Sequence, residues 1–465
     1  MARWAGGLIS EFHHCPLQGE RAPQAPVADS VSTPTVEATV EALDAAGRGI
    51  AESEGRPVTV EGALVGERIL FRPGRGRRRG ARARLVRVLQ AAPARTEPVC
   101  RYFQRCGGCR LQHMAGDAQL SWKQQLLRRA FIEHGGLEPE AFLEPLTGPT
   151  TGYRRRARLG VKYVPGKGGA LVGFREKTGA KLAEIDGCLT LEPRVGGAIG
   201  DMRRVIDALD GRRRIPQLEV ALGDADTALV LRHLDPLSAH DREVLREFGR
   251  DHDWQLHLQP GGPDSVRALW PEDPPPLAYA LPEFQVELEF LPLDFIQVNA
   301  AMNRLLVRAA VAHLDVRASS RVLDLFCGIG NFTLAAARSA AQVTGVEGDA
   351  ALVARARGNA RRNRIDNVSF AGADLGCVDD GWPWWNEPWD RLLLDPPRSG
   401  AAHVLGALRA PLPERIVYVS CNPESLASDA GLLVHRKGYR LSSAAVVDMF
   451  PHTGHCEAMA VFTRR

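Results

Sequence analysis

The last third of the chain carries five apolar runs in order, each ending in turn-forming or polar residues: "RVLDLFCGIGNF", "QVTGVEGD", "VSFAGADL", "DRLLLDPPRSG" and "ERIVYVSCNP". Helical stretches lie between most of them. Buried strands that alternate with helices assemble as a parallel sheet with helices on both faces. In such sheets a ligand lies beyond the C-terminal ends of the strands, where all five tails fall. The expectation from about Leu291 onward is therefore an α/β, doubly wound, Rossmann-like domain.

"LDLFCGIGNF" reads as strand, glycine turn, helix. Gly328 and Gly330 allow the backbone to approach a ligand closely. Glu347 ends the second strand, where an acid accepts hydrogen bonds from ribose hydroxyls. This much suits NAD almost as well as S-adenosylmethionine. The full G-x-G-x-x-G/A spacing fails, because Thr333 occupies its last position. No pyrophosphate is then demanded, and S-adenosylmethionine is the better reading. Asp374, after the third strand, is a candidate for the adenine amino group. Cys327, inside the turn, reads as a small filler.

The fourth strand ends in "LDPPR". Asp-Pro-Pro followed by an aromatic marks enzymes that methylate exocyclic amines, but Arg398 stands where the aromatic would be. The fifth strand ends in "VSCNP", which puts Cys421 at the same sheet edge. An amine needs no covalent help to accept a methyl group; C5 of a pyrimidine does. A thiolate added to C6 makes C5 nucleophilic. A base must then remove the C5 proton. "DMFPHTGHCEAMAVF" offers Glu457, for which a plain surface carboxylate is an equally good reading. For Cys421 the bland alternative is a buried small hydrophobe. An RNA-binding protein with a vestigial methylase fold is a further alternative, disfavoured by Cys421, Asp395, Glu457 and Glu347 occurring together.

Upstream the texture differs. Residues 1–35, rich in Pro, Ala, Ser and Thr, read as a disordered extension. From Val36, short strands and glycine turns suggest a small β-barrel. Arg72 to Arg87 contains eight arginines and no acid, a pattern that favours a polyanion such as nucleic acid over a merely solvated face. "DAQLSWKQQLLRRAFIEHGG" has helical spacing and a plausible glycine C-cap. In "GYRRRARLGVKYV", Arg154, Arg156, Arg158 and Lys162 share one strand face, opposite Ala157, Leu159, Val161 and Tyr163. "CRYFQRCGGCRLQH" sets Cys100, Cys106 and Cys109 ahead of His113. Nine scattered cysteines and no signal peptide argue for a reducing cytoplasm and against disulfides. Zinc held by three cysteines and His113, or an iron–sulfur cluster closed by a fourth cysteine, remain open on these residues alone. No apolar run approaches the ~18 residues that would span a bilayer.

Together, "DFIQVN", "LDLFCGIGNFT", "GVEG", "LDPPRSGA", "IVYVSCNP" and "DMFPHTGHCE" resemble the S-adenosylmethionine-dependent RNA uracil-5-methyltransferases, almost end to end over the catalytic third. Residues 36–95 resemble a TRAM domain, an OB-like RNA-binding barrel. The cysteine segment with the distant "DGCLTLEP" resembles a cluster-bearing α+β central domain. A chain with both is similar to the members that act on bacterial 23S ribosomal RNA. The resemblance implies four parts: the extension at 1–35, the barrel at 36–95, the central domain at 96–290 and the methyltransferase domain at 291–465. It implies that Gln297, Phe326, Asn331, Glu347, Asp374 and Asp395 contact S-adenosylmethionine or line its pocket. Cys421 would be the nucleophile and Glu457 the general base. Cys100, Cys106, Cys109 and Cys188 would hold a 4Fe–4S cluster, with His113 free. The expected partner is 23S ribosomal RNA, with its target base flipped, and the expected state is a cytoplasmic monomer without membrane contact. The Trp-rich loop "GWPWWNEPW" departs from the family pattern, as does Pro397-Arg398-Ser399. Local packing is the simpler reading of the loop, ahead of stacking on RNA bases.

Overall fold

The computed structural model describes residues 35–74, 82–379 and 381–464. The extension, except its last residue, and Arg75, Arg77, Arg78 and Arg79 of the arginine run lie outside the described residues.

Six short strands form the first unit: β1 (Val36–Thr39), β2 (Ala42–Leu43), β3 (Gly49–Ser53), β4 (Arg56–Val60), β5 (Arg68–Arg72) and β6 (Arg82–Gln90). Their order is β1-β5-β6-β4-β3-β2. Alternation turns Val58, Val60, Ile69, Phe71 and Ala83 inward onto Val40 and Ala51. Register slips between β5 and β6 curl the sheet, so that β6 also pairs with β4. Arg82, Arg84 and Arg87 stand exposed on β6. The fully buried Glu67 accepts from the Leu64 amide at 2.8 Å and from Arg95 Nη2 at 2.8 Å. It thereby locks the exit of the barrel.

Helix α1 (Gly116–Ala130) runs into one wide turn, Phe131–Gly135, and is stopped by Gly136 at φ 62°. Gln119, Lys123, Leu127 and Ala130 form its buried face, spaced at helical intervals. A two-residue strand, β7 (Ala141–Phe142), follows.

The middle sheet comprises β8 (Arg156–Val164), β9 (Gly169–Gly173), β10 (Gln217–Leu222), β11 (Thr227–Arg232), β12 (Gln255–Gln259) and β13 (Arg267–Trp270), ordered β13-β12-β11-β10-β8-β9. Helices α2 (Pro193–Gly197), α3 (Ile199–Ala208) and α4 (Ala239–His252) accompany it. Ala157, Leu159 and Val161 of β8 enter its core as the alternation predicts. The basic face is partly answered, because Glu219 pairs with Arg158 at 3.1 Å and lies 4.0 Å from Arg156.

The hairpin β14 (Leu277–Leu281) and β15 (Val286–Phe290) and helix α5 (Ala300–Leu314) lead into the large sheet. That sheet contains β16 (Arg321–Leu325), β17 (Gln342–Glu347), β18 (Val368–Gly372), β19 (Arg391–Leu394), β20 (Arg415–Ser420), β21 (Tyr439–Val447) and β22 (Glu457–Arg464). Between them run α6 (Thr333–Ala337), α7 (Ala350–Arg362), α8 (Ala402–Ala407) and α9 (Pro423–Lys437). The order is β18-β17-β16-β19-β20-β22-β21-β7, with β16 to β20 mutually parallel and β22 antiparallel to both neighbours. Successive residues feed opposite cores. Val322, Leu393 and Val417 face one; Leu323, Leu392, Leu394 and Ile416 face the other. The five sequence runs are the five parallel strands, and the α/β doubly wound reading holds. Strand order reverses between β16 and β19, which opens the crevice where such sheets bind ligands.

The cores do not divide at residue 291. The β14–β15 hairpin packs into one face of the large sheet, Leu127 and Phe131 into the other, and β7 pairs with β21. Among the described residues, no helix is long and apolar enough to cross a membrane.

Candidate active site

At the strand-order reversal, β16 gives way to a turn in which Phe326, Gly328 and Gly330 all have positive φ, at 63°, 55° and 92°. A Cβ on Gly328 would meet nothing within 4 Å. The turn thus leaves open space beside a backbone whose Gly328 N–H donates to Glu347 at 3.1 Å. Glu347 also takes the Asp349 N–H at 3.0 Å, which fixes its carboxylate at the end of β17. Phe326 is a bulky residue in a left-handed conformation, a strain that surrounding structure must hold.

The turn walls a cavity of about 660 Å³, a size suited to a small molecule. Gln297, Phe326, Asn331, Glu347, Asp395, Cys421 and Glu457 all line it. Asp374 does not; it is exposed after β18, with its carboxylate taking the Gly376 N–H at 3.0 Å. Gln297 Nε2 donates to Asp395 at 3.2 Å, while Arg155 Nε donates to the Gln297 carbonyl at 2.9 Å from behind. Asn331 and Asn303 exchange side-chain hydrogen bonds at 3.1 and 2.9 Å, and the Tyr279 hydroxyl donates to Asn331 at 2.9 Å.

Local sequence explains how Cys421 is presented. Asn422 caps α9 by accepting the Glu424 N–H at 3.2 Å, and Pro423 takes the first helical position. The chain must therefore turn at Cys421, between β20 and the helix. Burial pushes the thiol above its ordinary pKa, and the charges of Glu457 and Asp395 add to this; Arg398 opposes by charge and hydrogen bond. Arg398 Nη2 also lies 3.0 Å from His455 Nδ1. Burial pushes Asp395 up to about 7, against the Gln297 hydrogen bond. Glu457 is buried at the start of β22, not a surface carboxylate. Burial, then the charge of Asp395, raises it well above the usual range, and Lys123 pulls it down. A thiol, a buried carboxyl and an acid–amide pair thus share one cavity. That set can support nucleophilic addition and proton abstraction at a planar ring.

Arg398 and His455 also face an adjoining groove of about 440 Å³, lined by Arg48, Arg82, Arg110 and Arg154 as well. Sequence reasoning singled out neither Arg398 nor His455 for the site. The motif "PHTGHCE" held the signal for His455, since its neighbour Glu457 was already a candidate.

Cys327 is buried in the turn against Gly345, as a filler would be. In the Trp-rich loop, Trp384, Trp385 and Trp389 are buried in the core, and Trp389 Nε1 donates to the Trp384 carbonyl at 2.9 Å. The loop packs inward.

In the middle unit, Cys100, Cys106, Cys109 and Cys188 line one small cavity, and all are free thiols. Hydrogen bonds from Arg101 and Tyr102 to Asp186 tie the two cysteine-bearing segments together. Burial, then the charge of Cys188, pushes the Cys109 thiol up to about 12. Thiols that oppose one another's ionisation in a buried site suit a positive metal centre. His113 does not line the cavity. It is buried with both ring nitrogens unpartnered, its ring 5.4 Å from Phe103, and burial lowers its pKa to about 4. The cavity thus offers four sulfurs and no histidine, the donor type an iron–sulfur cluster would take rather than Cys3His zinc, though the sulfurs are not gathered around one point. Among the described residues, no three His, Cys, Asp or Glu side chains converge to grip a metal ion.

The model of the tRNA (uracil-5-)-methyltransferase family matches residues 284–374 and 387–465. The 23S rRNA (uracil(1939)-C(5))-methyltransferase RlmD of Alkalilimnicola ehrlichii is 51% identical over 428 residues, 92% of this chain and 96% of that protein. Its namesake from Alcanivorax borkumensis is 46% identical over the same shares. Among solved structures, the Pyrococcus abyssi tRNA (uracil-54, C5)-methyltransferase with S-adenosyl-L-homocysteine superposes with a TM-score of 0.70 at 22% identity, over 92% of this chain and all of that one. The identity over nearly the whole length, on a fold and site of this form, establishes that the chain belongs to the RNA uracil-5-methyltransferase family.

Proposed function

We propose that this protein transfers the methyl group of S-adenosylmethionine to C5 of uridine 1939 in 23S ribosomal RNA, the reaction its relatives are named for. The observation that carries the reading is the cavity shared by Cys421, Glu457 and the Gly328 turn.

In this reading Glu347, Gln297, Asn331, Phe326 and Asp395 bind and orient the methyl donor, and Asp374 joins them at the rim. C5 of a stacked uridine is out of reach, so the base enters the cavity flipped from its stack. The Cys421 thiolate adds to C6, and the electron pair displaced onto the C4 carbonyl makes C5 a nucleophile. C5 takes the methyl group, and the sulfonium leaves as S-adenosylhomocysteine. The Glu457 carboxylate then removes the C5 proton. Those electrons re-form the C5–C6 double bond and expel the Cys421 thiolate. Arg398 favours the thiolate form at the first step.

The barrel at 36–95 serves as a TRAM-type RNA-binding domain, and the arginine-lined groove holds phosphates beside the cavity mouth. Cys100, Cys106, Cys109 and Cys188 would hold a 4Fe–4S cluster, which supplies a cross-link between the two segments that carry them. Residues 96–290 form the central domain and 291–465 the methyltransferase domain, with α1, β7 and the β14–β15 hairpin packed into the latter's sheet.

RNA carrying 5-fluorouridine at the target tests the covalent route, because fluorine cannot leave as a proton. An SDS-stable protein–RNA adduct is expected from the parent protein and none from Cys421→Ala. Methylation that persists in Cys421→Ala without an adduct would point to an exocyclic amine as the target. For the cluster, anaerobically purified protein is expected to be brown, and Cys188→Ala to bleach it while His113→Ala does not. Colourless protein with stoichiometric zinc would overturn that assignment.

A further inference from the structure

We infer that Lys123 and Gln119, on the buried face of α1, are positioning residues for the proton-abstraction step, because they clamp the 448–456 segment that delivers Glu457 to the cavity. The inference rests on the covalent reading above and deepens it.

Residues 448–456 join β21 to β22 without helix or strand structure of their own. They set His455 and Cys456 in the cavity wall and lead directly into Glu457. Within the segment the Thr453 hydroxyl donates to the Phe450 carbonyl at 2.9 Å and accepts the His455 N–H at 3.3 Å; further bonds come from outside it. Lys123 Nζ donates to Asp448 at 2.7 Å and to the Phe450 carbonyl at 3.0 Å. The Tyr153 hydroxyl donates to the Pro451 carbonyl at 3.2 Å. The His452 carbonyl accepts the Arg110 and Leu111 N–H groups at 2.8 and 3.0 Å. Gln119, one helical turn before Lys123, accepts the His452 N–H at 3.0 Å and donates to the Leu111 and Met114 carbonyls at 3.0 and 2.8 Å. Gln119 thus ties the segment to the stretch that directly follows Cys109. His452 has φ 64°, a conformation a non-glycine residue keeps only when its surroundings impose it.

A lysine is an expensive choice for this position. It is fully buried, on a helix face shared with Gln119, Leu127 and Ala130. Packing alone would be met by an apolar side chain. The charge has a use, however. Asp395 from the end of β19, Cys421 from the end of β20 and Cys456 share the cavity with Glu457 as acids or thiols; Lys123 is the cation set against Glu457 and Cys456, as Arg398 is against Cys421. Asp448 is the partner that holds the ammonium in place.

The test separates two half-reactions. Adduct formation on 5-fluorouridine RNA needs no base, whereas turnover of ordinary RNA does. Lys123→Met is expected to trap 5-fluorouridine RNA within about two-fold of the parent rate. Its kcat on ordinary RNA should fall at least about ten-fold, a part of the ~10²–10⁴-fold that a positioned general base contributes. KM for RNA and for S-adenosylmethionine should be nearly unchanged. A methylated SDS-stable adduct should then accumulate on ordinary RNA, and the acid limb of the kcat–pH profile should move to higher pH. Gln119→Met, which loosens the clamp and leaves the charge, should accumulate the same adduct without moving the acid limb. Should Lys123→Met not fold, Gln119→Met decides the matter alone. Unchanged kcat, or trapping that falls in parallel with turnover, overturns the inference. A parent protein that traps no 5-fluorouridine RNA overturns the covalent reading, and this inference with it.

Discussion

Single residues at this site are tuned by burial more than by any one partner. Asp324 lies beneath the glycine turn, with one oxygen accepting from the Thr333 hydroxyl at 2.5 Å and the other unpartnered. Burial pushes it up to about 7. An acid raised by folding is protonated in the native state at a pH where the unfolded chain has lost the proton. Its contribution is therefore intact below the unfolded value and is lost as pH rises through about 7. Asp324→Asn is expected to raise the melting temperature at pH ~8 more than at pH ~6, because the amide carries no charge to bury. Arg398 acts in the opposite sense on Cys421. Arg398→Met should lift the thiol further and slow adduct formation on 5-fluorouridine RNA about ten-fold at neutral pH, with partial recovery in alkali. Of these residues, the sequence reading picked out Cys421 and Asp395 by their places at strand ends, and Glu457 from its motif and the family resemblance. It left Asp324 and Lys123 unmarked, because a buried charge inside a strand or an amphipathic helix looks like any other polar residue until its surroundings are known. It also assigned Asp374 to the cofactor site; that carboxylate stands exposed after β18, outside the cavity lining, where the proposal above sets it at the rim.

At the scale of elements, regular periodicity was readable and non-local pairing was not. The helix over 116–130 and its glycine stop follow from apolar spacing and Gly136. The five parallel strands follow from apolar runs with polar tails. By contrast β7 is two residues long, too short to carry a period, and owes its existence to β21. The lock between Glu67 and Arg95 was likewise invisible, since its halves lie 28 residues apart. Burial works to raise Glu67, yet the hydrogen bonds and charge of Arg95, with the Leu64 amide, hold it below its ordinary value. Its contribution is present above the unfolded carboxylate pKa and is lost as pH falls through the lower folded value. Glu67→Ala should cost about 3 kcal/mol by stranding Arg95. Early proteolytic cleavage between β6 and α1 is the measurement that reveals it, and acid should produce the same cleavage in the parent protein.

In the whole molecule the three units meet at one place. Gly454, in the segment before Glu457, is packed so that a Cβ there would lie 2.9 Å from the Ala46 carbonyl of the barrel. Gly47, at φ 77°, is pressed likewise against Leu111 of the cysteine-bearing segment. Gly454→Val should displace the barrel and weaken RNA binding at least about ten-fold, while leaving S-adenosylhomocysteine binding close to that of the parent; calorimetry with each ligand reads the difference. The sequence reading divides the chain into an extension and three folded parts, but does not reveal that the folded parts meet at the segment leading into Glu457, because contact between distant segments leaves no local period. The strand order has one more consequence. β22 slots between β20 and β21 and begins with Glu457, while α1 and β7, which complete the same sheet and its core, come some three hundred residues earlier. On the ribosome the barrel can fold as soon as it emerges. The large sheet must wait with its early pieces in hand until the last strand is translated. A nascent or prematurely terminated chain can therefore present the folded barrel, but not a large sheet with Glu457 set in its cavity.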